Sequence, residues 1–107
     1  MSQRNAMKRL VVRYKTKPEM SDANAQLIQE VFKELTATAP PGVRYLALRL
    51  QDGSFLHLSM LEGEAPNPIP QLAAFRLFQR DIKDRCLEPP QASEATIIGN
   101  YRMLSEA

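Results

Sequence analysis

The only histidine of the chain, His57, is its one side chain able to gain or lose a proton near neutral pH without help. Its sequence setting, SFLHLSM, reads as a strand, and the strand before it, VRYLALR, carries Tyr45 and Arg49. Arg13 lies in an earlier strand-like run and Asn100 in a later one. If the sheet brings these strands together, His57, Arg49, Tyr45, Arg13 and Asn100 form one polar cluster. Such a cluster could act as an acid–base pair or hold an anion. The simpler account is a hydrogen-bonded histidine at an interface. A metal site is disfavoured, because one histidine without an adjacent carboxylate cluster cannot supply three protein ligands. No motif calls for a cofactor. Cys86 follows Arg85 at the expected end of a helix, where the dipole raises a thiol pKa, so it reads as a small apolar residue and not a nucleophile.

The element that must position His57 is the hairpin from Val43 to Leu61. A three-residue loop, Gln51-Asp52-Gly53, gives a type I turn with Gly53 as a left-handed bulge. That register pairs Leu46 with Leu58 and Leu48 with Leu56. It gathers Leu46, Leu48, Leu50, Leu56, Leu58 and Met60 on one face. A slip of one residue would scatter them. The all-aliphatic face is expected to lie under helices. The mixed face, with Tyr45, Arg49, Phe55 and His57, is expected to be bare.

Around the hairpin the pattern is regular. Lys8 to Lys15 alternates as a strand, with Leu10, Val12 and Tyr14 on one side and Arg9, Val11 and Arg13 on the other. Ser21 is a good N-cap, and Leu27, Ile28, Val31, Phe32 and Leu35 make an apolar stripe that stops before Pro40-Pro41-Gly42. A second helix starts near Pro70, carries Leu72, Phe75, Phe78 and Ile82, and is ended by Glu88-Pro89-Pro90. Ala95 to Met103 is the last strand, and Tyr101 packs under the helices. The order is βαββαβ. Two right-handed crossovers give an α+β, ferredoxin-like fold: a four-stranded antiparallel sheet in order 4-1-3-2 with both helices on one face. Residues 1–107 form one domain, ordered over about 8–103.

With 44% hydrophobic and 24% charged residues, the chain has an ordinary globular composition. A net charge of +2 gives no reason to expect nucleic acid or an anionic membrane. A single cysteine excludes an internal disulfide and suits a reducing cytoplasm. No run approaches the ~20 apolar residues that span a bilayer. The bare sheet face carries more apolar area than a monomer leaves in water, so a homodimer through the sheets is expected.

This element order, over residues 8 to 103, resembles the dimeric α/β-barrel superfamily, which includes antibiotic biosynthesis monooxygenase-like and stress-responsive proteins. The resemblance implies sheets that pair into a barrel and a small-molecule pocket between sheet and helices. It also implies, for an enzyme, cofactor-independent monooxygenase-like activity. Such enzymes often use an Asn-Trp pair with an Arg or His, and this chain has no Trp. Two other domains share the element order. An RNA-recognition domain would need stacking aromatics on the two central strands of the bare face, and those strands offer only Phe55. A regulatory ACT-type module often has a glycine after its first strand, and Thr16 to Ser21 has none. On the bare face His57 is expected to be partly buried near arginines and therefore neutral.

Overall fold

The computed structural model describes residues 7–63 and 66–104. Strand β1 (Met7–Thr16) runs through a one-turn 3-10 segment, Pro18–Met20, into helix α1 (Ser21–Thr38). The hairpin β2 (Val43–Arg49) and β3 (Ser54–Glu62) follows. A second 3-10 turn, Ile69–Gln71, leads to helix α2 (Ala73–Gln79), the single turn α3 (Ile82–Arg85) and strand β4 (Cys86–Glu94). The four strands form one antiparallel sheet in the order β2-β3-β1-β4, the expected ferredoxin-like topology read from the other edge.

The hairpin has the bulged register. Leu46 stands against Leu58 and Leu48 against Leu56. The Leu50 N–H donates to the Ser54 carbonyl at 2.8 Å, the Gly53 N–H donates to the Leu50 carbonyl at 3.2 Å, and Gly53 has φ 90°. Asp52 Oδ1 accepts the Ser54 N–H at 2.8 Å, and that bond is the leading reason its carboxyl sits below the usual range.

The helices cover the opposite face of the hairpin from the one expected, while β1 presents Tyr14 to the helices as expected. Tyr14 and Phe55 are buried in the core with Ile28, Val31, Leu72 and Phe78, and Tyr45 and Ala47 pack against them. Leu46 and Leu48 are 44% and 45% exposed. The cause is the β1–β3 ladder, in which Tyr14 pairs with Phe55 and Val12 with His57. The apolar side of β1 and the aromatic side of the hairpin therefore share one face. Aromatic rings fill the depth between sheet and helices, and Phe55 is a core residue rather than an interface one.

Further corrections concern the helix ends and the last third of the chain. Ser21 is already helical and Met20 is the N-cap. The second helix breaks early: Arg80 is extended and Asp81 is left-handed at φ 63°. Cys86 opens β4 instead of closing a helix. Pro89 and Pro90 do not end a helix either. They lie within β4, an edge strand, opposite the single residue Tyr14, between the pairs Arg13–Gln91 and Lys15–Glu88. An edge strand with a bulge tolerates the missing N–H groups. The predicted strand Ala95 to Met103 is absent beyond the rung in which the Ala95 N–H donates to the Arg9 carbonyl. Ile98, Tyr101 and Met103 are exposed, so Tyr101 does not pack under the helices.

Short α2 is held from outside. Glu34 of α1 accepts the N–H groups of Ala73 at 3.3 Å and Ala74 at 2.8 Å, taking the place of a side-chain N-cap. This link fixes Phe75 and Phe78 above the sheet.

Gly53→Ala is expected to destabilise the fold by about 1 kcal/mol through strain at positive φ. The added methyl meets only ordinary contacts, with Lys15 Cε at 3.8 Å. A urea midpoint unchanged from the native protein would contradict this.

Candidate functional site

His57 projects from β3 into the space between sheet and helices and is 5% exposed. Its Nδ1 lies 2.7 Å from the Tyr45 hydroxyl, and its Nε2 lies 2.9 Å from the Tyr14 hydroxyl. Tyr45, Ala47, Phe55 and His57 share the covered face because of the hairpin register, and β1 adds Tyr14 to it. Neighbouring rings fix the geometry. Phe32 stacks on Tyr45 at 5.1 Å, Phe55 on Tyr14 at 5.4 Å, and Phe78 on His57 at 5.5 Å.

The polar chain continues beyond the strands. Asn24 of α1, fully buried, donates from Nδ2 to the Tyr14 hydroxyl at 2.9 Å. Arg85 donates from Nε to Asn24 Oδ1 at 3.0 Å. Its other nitrogens donate to the carbonyls of Arg80 and Phe78. Arg85 is 4% exposed, and its guanidinium lies 5.5 Å from the Phe78 ring centre. A buried cation is tolerated only with its donors satisfied, and here the acceptors named are three neutral oxygens.

Beside this chain is a cavity of about 110 Å³. Tyr45, His57 and Tyr14 reach it from the sheet, and Phe75, Phe78 and Ile69 close it from the helix side. Its wall is mainly apolar, with Ser59, Asn67 and Gln79 as further polar residues.

Burial sets the charge states. It lowers the His57 pKa from 6.5 to about 4 and pushes Tyr45 up to about 12. It also raises Tyr14, against the opposing hydrogen bond from Asn24. Histidine and both tyrosines are therefore neutral at pH 7. Burial raises the Cys86 thiol as well, with Arg85 acting in the opposite direction.

Of the five residues expected to cluster, only His57 and Tyr45 meet. Arg49 shares their face but sits at its end, where Nη1 contacts Asp22 Oδ1 at 2.9 Å and Ser21 Oγ at 3.1 Å. Arg13 points to the opposite face and donates to Ser54 Oγ at 3.1 Å. Asn100 lies outside the sheet, and its side chain ties a turn through Met103 and Leu104. The low pKa of His57 thus comes from burial and not from the arginines. Tyr14, Asn24 and Arg85 complete the polar chain without being marked out in the sequence as site residues. Asn24 carries a signal, because it falls one turn before Ile28 on the buried stripe of α1. Among the described residues no group of three or more His, Cys, Asp or Glu is placed to hold a metal ion.

Since folded His57 holds its proton more weakly than the unfolded chain, stability is complete above about pH 6.5 and falls as pH drops toward 4. Below that, this contribution is lost, on the order of 3 kcal/mol in all. Urea midpoints measured across this range should show the decline, and His57→Gln should flatten it. An NMR titration placing folded His57 above 6.5 would sink this account.

The sequence matches no protein-family model and no curated protein. Solved structures do match. A protein of Nitrosomonas europaea assigned as an antibiotic biosynthesis monooxygenase superposes with a TM-score of 0.70 at 14% identity, over 86% of this chain and 90% of that one. Another so assigned, from Bacteriodes thetaiotaomicron, gives 0.70 at 14% identity over 96% and 98%. A third, from Caulobacter crescentus, gives 0.68 at 13% over 87% and 91%. At such identities the likeness is one of fold. With its sheet order and one-sided helices, this chain has the ferredoxin-like α+β fold of the antibiotic biosynthesis monooxygenase-like proteins.

Proposed function

We propose that this protein binds a small, mainly apolar molecule in the cavity between sheet and helices, as a homodimer paired through its bare sheet face. The observation that carries the reading is the cavity itself, with the Tyr45–His57–Tyr14 chain set in a mainly apolar wall that also holds Ser59, Asn67 and Gln79. Mostly apolar pockets with a few convergent polar groups are the usual form of a small-molecule site. At about 110 Å³ the space approaches the ~150 Å³ void that takes a benzene ring, so the ligand is of one-ring size unless the pocket opens further. Any catalysis would be cofactor-independent and monooxygenase-like. His57 and Tyr45 are the candidate groups at the ligand, and Arg13, Arg49 and Asn100 leave the candidate set. The single thiol suits a cytoplasmic setting.

The dimer reading now rests on the leucine face. Leu46, Leu48 and Leu50 are exposed there beside half-buried Val11, Leu56 and Leu58. Burying such a patch at about 25 cal/mol per Å² is a strong drive for pairing. The same face bears on RNA binding, since none of these residues is an aromatic on which a base could stack.

Two measurements test the proposal. Leu48→Asp places a charge in the interface but leaves the monomer core untouched, so light scattering should change from dimer to ~12 kDa monomer at micromolar concentration. A native protein already monomeric there would contradict the dimer. Ser59→Leu should fill the cavity and abolish binding of one-ring aromatics in ligand-detected NMR. Undiminished binding in the variant would move the site elsewhere.

A further inference from the structure

We infer that the cavity selects its ligand by a hydrogen-bond acceptor, a carbonyl-type oxygen, because the buried polar chain that begins at Arg85 ends at Tyr45, a residue lining the cavity, whose hydroxyl proton no described residue accepts. This inference deepens the ligand-binding reading above and rests on it.

The direction of each bond follows from the one before. A guanidinium can only donate, so Asn24 presents Oδ1 to Arg85 and is left with its amide N–H groups for Tyr14. The Tyr14 oxygen accepts from Asn24, and among the described residues His57 Nε2 is the one acceptor in reach of its own proton, so Tyr14 donates to it. A neutral imidazole has one donor and one acceptor. With Nε2 accepting, Nδ1 carries the hydrogen and donates to the Tyr45 oxygen. The Tyr45 hydroxyl then has a proton to give. Among the described residues His57 is its one hydrogen-bond partner, and Tyr45 lines the cavity. A ligand with an acceptor oxygen satisfies that proton. A ligand offering only a donor leaves it unpaired, which a site of buried polar groups penalises strongly.

Asn24 is thus a positioning residue, and it can be inverted. In Asn24→Asp the carboxylate still pairs with Arg85 but can only accept. Tyr14 must then donate to residue 24, His57 must donate from Nε2, and Nδ1 must accept the Tyr45 proton. The cavity would present a lone pair in place of a proton. A purely structural role for Asn24 predicts no such reversal.

Three probes of equal heavy-atom count read this by NMR titration: acetophenone as acceptor only, indole as donor only, and cumene with no polar group. Comparing each probe between protein variants cancels its own transfer from water. Tyr45→Phe should weaken acetophenone about tenfold and leave cumene unchanged. Asn24→Asp should weaken acetophenone and tighten indole, each by a similar factor. Acetophenone affinity insensitive to Tyr45→Phe, or an Asn24→Asp variant that holds both polar probes at their native affinities, would overturn the inference while the cavity reading stood. If none of the three probes binds the native protein, the cavity reading itself falls and takes this inference with it.

Discussion

A guanidinium taken out of water must find oxygen for its donors, and Arg85 finds it on two elements at once. Its bonds to the carbonyls of Phe78 and Arg80 satisfy groups exposed where α2 stops. That lets the chain turn through left-handed Asp81 into β4. Its bond to Asn24 joins this corner to α1. Removing the side chain would strand several buried acceptors and the Asn24 amide together, a loss larger than that of any one bond. The kink also starts β4 at Cys86, so that Pro89 and Pro90 come to lie beside Tyr14.

The fold was legible because its main signals are local. Strand alternation, the helical stripe of α1 and the Asp52-Gly53 turn each depend on a few neighbouring residues. The hairpin register needed only the consistency of six aliphatic positions. What local pattern could not supply was the face on which the helices lie. That depends on how β1 meets β3, a pairing between residues far apart in sequence. Two apolar faces competed, one of leucines and one of aromatics with His57, and hydrophobicity alone favoured the leucines. Depth decided otherwise. Tyr14, Phe55 and Phe78 span the gap between sheet and helices.

The site was half legible for the same reason. His57 and Tyr45 sit on adjacent strands with known register, and they meet as expected. Arg13 lies on the bare side of β1, as expected, but His57 and Tyr45 are on the covered side, so the sheet separates them. Asn100 was lost with the shifted fourth strand: the prolines of Cys86–Glu94 read as a helix stop because edge strands carry no separate sequence mark. Arg85 was hidden by the kink, which turns a residue expected on a continuous helix into the core.

The polar chain also bears on what the site can do. A proton passed inward from the cavity would go from Tyr45 to His57 to Tyr14, and then reach an amide already bonded to a cation. Nothing at that end can accept it. His57, with its pKa held near 4 by burial, would carry the charge only at a substantial cost at pH 7. The chain is therefore poorly built to remove a proton from a ligand and well built to hold one hydroxyl in a fixed direction. Rings stacked on Tyr45, Tyr14 and His57 add to that rigidity. Preorganisation of this kind serves orientation and recognition, so any oxygenation in this cavity would need its base from the ligand itself or from a group outside the chain.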